Sequence, residues 1–182
     1  MIVIFSDTHS ASGHELEGEA LTAARTADVV LHAGDFTSEA ALEAFQRECD
    51  RLYAVHGNAD DPAVCDRLPP ARVVEADGVR FALTHRRDGG QTGLAMFGRS
   101  RAADVVVFGH SHRPAVIDAG DVTLVNPGSH ADPRGNRPGF GVLESARSED
   151  RETGKTTTDR RLEGAIQEPD GTIIETVGIS VS

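Results

Sequence analysis

Cysteine is scarce in this chain: Cys49 and Cys65 are its only two, and no Cys-X-X-Cys spacing joins them. A disulfide framework and a cysteine-built zinc knuckle are therefore excluded. Neither is needed, because 182 residues make one domain long enough to bury roughly 70% of its unfolded surface. Long hydrophobic runs are also missing. Nothing reaches the ~18 consecutive apolar residues of a membrane span. The opening MIVIFSD is strand-like from its second residue and carries no basic leader or cleavage site. A soluble, cytoplasmic protein with no membrane partner is expected. Lysine is almost absent, since Lys155 stands alone among 18 basic residues, while 29 acidic residues set the net charge at −11. Such a balance excludes nucleic-acid binding through a basic face. It suits a high-salt interior, where screening removes the self-repulsion of an acidic surface. No internal repeat occurs.

What is present is an alternation of short apolar runs with helical patterns: IVIFS, an amphipathic stretch from Glu15 to Thr26, DVVLHAGD, SEAALEAFQREC and LYAVHGN. Strand, helix, strand, helix, strand predicts right-handed crossovers and a parallel core. Further on, RVVEADGVRFALTH sets Asp-Gly between two strand-like runs, and AVIDAGDVTLVNPGS repeats the device around Ala119-Gly120-Asp121. Both read as hairpins. Between them QTGLAMFGRSRA reads as a helix leading into the strand of VVVFGHSHRP. The pattern predicts an α/β fold with a two-layered sheet core flanked by helices. From about 145 to 168 the sequence is dense in charge without periodicity. This predicts a loop or hairpin insertion inside a single domain spanning residues 1–182. The last strand, GTIIETVGIS, is expected to pair with GFGVLE. Excising Arg147 to Gly164 is expected to leave activity within a few-fold, since loop length costs little closure entropy.

Chemistry-bearing residues collect behind the strands. Asp7 and His9 follow the first, Asp35 the second, Asn58 and Asp60 the third; LTH supplies His85, and FGHSH supplies His110 and His112. Open α/β sheets bind ligands at the carboxyl ends of their strands. Four imidazoles, two carboxylates and one amide oxygen exceed one tetrahedral zinc and suit two octahedral-leaning divalent ions. Two ions ~3.5–4 Å apart need a bridge. A carboxylate oxygen can serve both and an imidazole cannot, which makes Asp35, alone on its loop, the natural bridging residue. The one-residue spacing within Asp7/His9 and His110/His112 lets an extended segment aim both members to one side. Each histidine of the His110/His112 pair can then serve a different ion, and Gly109 lets the backbone approach closely. With two carboxylates and a bridging hydroxide, two divalent ions leave about +1 of charge, which favours an anionic substrate. Phosphoester hydrolysis by in-line attack is the expected reaction.

Taken together, DTH, GD, GNAD, TH and GHSHRP…NPGS, spanning residues 7 to 129, resemble the calcineurin-like metallophosphoesterases, in particular the small YfcE-like phosphodiesterases. The resemblance implies a four-layer α/β/β/α sandwich of mixed sheets. It implies one ion held by Asp7, His9, Asp35 and His112 and a second by Asp35, Asn58, His85 and His110, with Asp35, Asn58 and His85 closest to the chemistry. The implied metal is Mn2+, with Ni2+, Zn2+, Fe2+ and Mg2+ as alternatives, and the implied substrate a small phosphodiester. Asp60 is expected to orient a histidine ligand from behind. Two other functions stay open: a phosphomonoesterase, and a non-catalytic interaction scaffold like the retromer subunit that resembles this fold. Homo-oligomerisation is also left open.

Several residues carry a plainer reading. His32 and His56 are expected to be hydrogen-bonded rather than ligating, His14 and His130 to lie in loops near the cleft, and Asn126-Pro127-Gly128-Ser129 to shape a turn beside it. Arg86 and Arg87 follow His85 where the resembled branch often has a glycine and a histidine, and either could pair with phosphate. Ala59 stands where the wider superfamily often has histidine and the YfcE-like branch cysteine, so no general acid is supplied there.

Overall fold

A computed structural model describes residues 1–146 and 160–181; residues 147–159, within the expected insertion, lie outside them. The predicted alternation forms β1 (Ile2–Phe5), α1 (Gly18–Thr26), β2 (Val29–His32), α2 (Glu39–Glu48) and β3 (Leu52–Ala54). Then come α3 (Pro62–Arg67), β4 (Ala71–Ala76), β5 (Val79–Thr84), α4 (Gly90–Arg99), β6 (Val105–Val107), β7 (Ala115–Asp118) and β8 (Thr123–Asn126). The chain ends with β9 (Phe140–Ala146), β10 (Arg160–Gln167) and β11 (Ile173–Val181).

Strand β1 is apolar throughout, and β2 up to His32, because both of their faces are covered. Ile2, Ile4, Val29 and Leu31 point into a core shared with Phe81, Leu83, Val105, Val107 and Val125 of the other sheet. Val3, Phe5 and Val30 point the opposite way, onto Ala20, Ala24, Leu42 and Phe45 of α1 and α2. On the far side Ala82, Val106 and Leu124 meet Leu94 and Phe97 of α4. Three apolar layers thus separate four structural ones, giving the α/β/β/α sandwich.

One sheet has the order β11-β10-β9-β1-β2-β3 and the other β4-β5-β6-β8-β7. Strands β1, β2 and β3 are parallel, as are β5, β6 and β8. Both hairpins form as read, β4–β5 and β7–β8. Asp77 and Gly78 at the first turn take φ of 50° and 76°, the left-handed pair that a two-residue hairpin requires.

Three readings need correction, and one element was not foreseen. Helix α1 starts at Gly18 rather than Glu15, where the Glu19 amide donates to the Pro169 carbonyl at 2.8 Å. Helix α3 was not expected, although the Asp61 side chain caps it by accepting from the Val64 amide and Pro62 occupies its first turn. Its six residues are too few to show a helical period. Within the span read as a loop or hairpin lies strand β10, which pairs antiparallel with β9 on one side and with β11 on the other. The last strand therefore meets β10 and not GFGVLE. Excising Arg147 to Gly164 would remove five of the eight residues of β10 and is not expected to be harmless.

Leu162, on β10, is 1% exposed in the inter-sheet core. Leu162→Ala is expected to cost about 2–5 kcal/mol, read as a lower midpoint in urea with an unchanged slope.

Candidate metal centre

The two sets of parallel strands deliver their carboxyl ends to one edge. Past β1 and β2 the backbones stay paired: the Asp7 amide donates to the Gly34 carbonyl at 2.9 Å and the His9 amide to the Asp35 carbonyl at 3.0 Å. That pairing sets Asp7, His9 and Asp35 side by side. The second sheet is tied across the gap, because the His110 amide donates to the Asp7 carboxylate at 3.1 Å and Ser129 Oγ donates to the Asp7 carbonyl at 2.6 Å. Close approach here requires glycine. A Cβ on Gly109 would lie 2.0 Å from Ser6 Oγ, and one on Gly57 would lie 2.0 Å from Asp35 Oδ1.

The backbone is strained where the expected ligands sit. Asp7, His9, Asp35, His110 and His112 adopt φ of 55°, 48°, 61°, 72° and 54°. Left-handed geometry at such residues costs of order 1–3 kcal/mol each and persists only where the surroundings enforce it.

Asp35 spends one oxygen on the protein and turns the other inward, whereas the His110 amide is shared by both oxygens of Asp7, at 3.1 Å each. Asp7 Oδ2 accepts from Ser6 Oγ at 2.7 Å, and its Oδ1 lies 3.4 Å from His112 Nε2, 3.9 Å from His9 Nε2 and 4.0 Å from His85 Nε2. Asp35 Oδ1 accepts from the Ala59 amide at 2.8 Å, and its Oδ2 lies 3.3 Å from His9 Nε2 and 3.1 Å from His85 Nε2. Asp7, Asp35, His85 and His112 are all buried, at 0%, 2%, 3% and 1% exposure. Asp7, His9 and His112 form one group with ligand atoms within 4.8 Å of one another, and Asp7, Asp35 and His85 form a second.

The donor set fits divalent cations. His85 Nδ1 donates to the Ala33 carbonyl at 2.9 Å, and His112 Nδ1 donates to the Asp132 carbonyl. With Nδ1 committed to a carbonyl, each ring turns Nε2 toward the carboxylate oxygens. His85 Nε2 is buried without a hydrogen-bond partner. Lone pairs facing lone pairs in a buried space call for a cation between them. The imidazoles supply part of that charge themselves. Burial alone would raise the Asp35 carboxyl, but the adjacent His85 and His9 imidazoles hold it well below the usual carboxylate range. His9 is pushed up to about 9 by Asp35 first and Asp7 second.

Five of the seven expected ligands thus converge. The other two stand at the exposed rim: the His110 ring lies edge-on to His85 with centroids 5.4 Å apart, and Asn58 lines a cavity of about 230 Å³ together with His85, Arg86 and Arg87. Asp60 departs from expectation. Its oxygens accept from the Asp35, Thr37 and Gly57 amides at 3.0, 2.7 and 2.7 Å, so it braces the Asp35 loop, and no histidine touches it among the described residues. Backbone carbonyls orient the histidines instead.

The plainer readings hold for several residues. His32 is fully buried and kept neutral chiefly by burial; it accepts from the Gly34 amide at Nδ1 and donates from Nε2 to Thr8 Oγ1. His130 is pushed down to about 4 by burial and donates to the His14 carbonyl. His14 accepts from the Leu16 amide, and His56 Nδ1 donates to the Gly57 carbonyl. Asn126 closes the turn by donating to the Gly109 carbonyl and accepting from the Gly128 amide. The Arg87 guanidinium lies over the Phe97 ring at 4.2 Å. Sequence reading missed Ser6, Asp132 and Arg134. Nothing in their spacing sets them apart from ordinary polar loop residues.

A model of the calcineurin-like phosphoesterase superfamily domain matches residues 1–148. The chain is 31% identical over 156 residues to a probable metallophosphoesterase of Methanothermobacter thermautotrophicus, covering 79% of this chain and 84% of that one. It is 30% identical over 103 residues to the phosphodiesterase YfcE of Escherichia coli, covering 52% of this chain and 53% of that one. The fold also matches Vps29 of Chaetomium thermophilum with a TM-score of 0.73 at 17% identity, over 100% of this chain and 97% of that one. The chain belongs to the calcineurin-like phosphoesterase superfamily. Among its described residues no helix is long and apolar enough to cross a membrane.

The His9 proton must leave before a cation can take its nitrogen. Manganese affinity is therefore expected to rise with pH up to about 9, by about tenfold per pH unit for each proton released. Calorimetry at pH 7.5 in buffers of differing ionisation enthalpy should detect that release. In the metal-free protein the same contact contributes stability fully below pH 6.5 and loses it as pH rises through about 9.

Proposed function

We propose that this protein is a dinuclear metal-dependent phosphodiesterase acting on a small phosphodiester. The observation that carries the reading is the pair of buried carboxylates whose inward oxygens face three imidazole nitrogens. Asp7, His9, Asp35 and His112 would hold one ion and Asp35, Asn58, His85 and His110 the other, with Mn2+ the preferred metal. Asp35 Oδ2 is suited to bridging because one atom lies near a histidine of each set. Divalent cations bound there supply Lewis acidity toward the phosphoryl group and a nucleophile at neutral pH.

The chain's own residues do the positioning. Asp60 and the Ala59 amide fix the Asp35 loop, the Ala33 and Asp132 carbonyls fix the rings of His85 and His112, and Ser6 with the His110 amide fixes Asp7. Asn58 and His85 face the cleft in which the substrate would lie. The YfcE relative is named a phosphodiesterase, which favours a diester over a monoester. A scaffold role draws on the likeness to Vps29, which concerns the fold alone. Five converging donors, with both carboxylates among them, favour chemistry.

Metal-free protein reconstituted with manganese should hydrolyse an aryl phosphodiester faster than the matching monoester. The reverse preference would make it a monoesterase, and inactivity with two ions bound would make it a scaffold. Asp35→Asn should abolish hydrolysis and weaken both ions, because a neutral amide bridges poorly; metal analysis that still finds two tightly held ions would place the bridge elsewhere. Residue 59 offers a methyl group, whereas a general acid typically contributes about 10²–10⁴-fold. The rate should therefore fall steeply as leaving-group pKa rises, and Ala59→His should flatten that dependence.

A further inference from the structure

We propose that Arg134 grips the phosphoryl group of the substrate, an assignment that rests on the phosphodiesterase reading. Its loop is strapped to the centre. Ser129 Oγ, which donates to the Asp7 carbonyl, also accepts from the Ala131 and Asp132 amides at 3.3 and 2.8 Å. The Asp132 carbonyl receives His112 Nδ1, and Asn136 closes the turn by donating its amide and its Nδ2 to the Pro133 carbonyl. Arg134 follows with φ of 48°, a left-handed residue in the same loop. Its Nε donates to Asp132 Oδ2 at 3.0 Å, and its Nη2 lies 3.4 Å from His9 Nε2.

That last contact decides the function. His9 Nε2 is the nitrogen that faces Asp7 and Asp35, so the guanidinium stands at the mouth of the centre on the His9 side. A divalent ion and a guanidinium repel each other at the same nitrogen. Once a divalent ion takes Nε2, the guanidinium must leave it, yet the tether to Asp132 keeps it beside the same opening. An anion entering that opening then meets a planar fork of donors as well as the metals. Phosphoryl oxygens match the fork and gain charge as the substrate reacts.

The other arginines near the site are placed differently. Arg87 is stacked on Phe97, and Arg86 lies by Asn58 and His85 on the opposite side from His9 in the ligand scheme. A purely propping role for Arg134 would instead hold His9 in place for the metal, and the two roles separate experimentally.

The test titrates manganese-loaded protein with inorganic phosphate by calorimetry, comparing the parent with Arg134→Gln and Arg134→Lys. Arg134→Gln should weaken phosphate binding by about 10- to 100-fold, the worth of a lost charged hydrogen bond. Arg134→Lys should recover part of it, and manganese affinity should not fall in either variant. In turnover the Gln variant should raise KM for the diester. Unchanged phosphate affinity in Arg134→Gln would overturn the proposal, and so would a parallel loss of manganese, which would mean propping. Phosphate binding is read without turnover. A parent that binds phosphate through Arg134 but hydrolyses no diester would therefore refute the phosphodiesterase reading and leave the phosphate grip standing.

Discussion

The structure turns on two carboxylates that have been buried beside imidazole nitrogens. Asp7 and Asp35 are withdrawn from water; Asp35 Oδ1 accepts from the Ala59 amide, and Asp7 accepts from Ser6 Oγ at Oδ2 and from the His110 amide at both oxygens. Asp7 Oδ1 and Asp35 Oδ2 also confront imidazole nitrogens, and the far nitrogens of His85 and His112 are already bonded to backbone carbonyls. An arrangement so rich in lone pairs is unfavourable unless positive charge enters it. Protons on His9 and His85 can provide that charge, and both rings are shifted upward toward the protonated form. For His85 burial opposes that shift and Asp35 prevails. Divalent cations provide the charge more completely.

The remainder of the fold serves to hold this unfavourable cluster. Parallel strands from two sheets present their carboxyl ends to each other, so loops that are far apart in sequence can brace one another. The His110 amide reaches Asp7 across 103 residues, and Ser129 reaches it across 122. The left-handed backbone at Asp7, His9, Asp35, His110 and His112 stores strain that the hydrophobic layers must offset. Glycine at 57 and 109 is the steric condition for the approach.

Much of this was legible in the sequence because its signals are local. The buried strands announce themselves as apolar runs, the two hairpins by Asp77-Gly78 and by Gly120, and the ligands by following strand ends in order. Strand β10 was hidden because its alternation is diluted by charge at Arg160, Arg161 and Glu163 and by Gly164. Helix α3 was hidden by its length. The partner of Asp60 could not be read, since nothing in a spacing says whether a carboxylate will meet a ring or three backbone amides. Arg134 was hidden for the same reason: its contact with His9 spans 125 residues and depends on how the loop after Ser129 folds back.

The central claim is that the two buried carboxylates serve a pair of metal ions. The most direct measurement is anomalous diffraction from crystals of the manganese-loaded protein. The account predicts two peaks ~3.5–4 Å apart, one beside His9 and His112 and one beside His85, with Asp35 between them. A single peak, or two peaks that leave Asp35 uncoordinated, would contradict it.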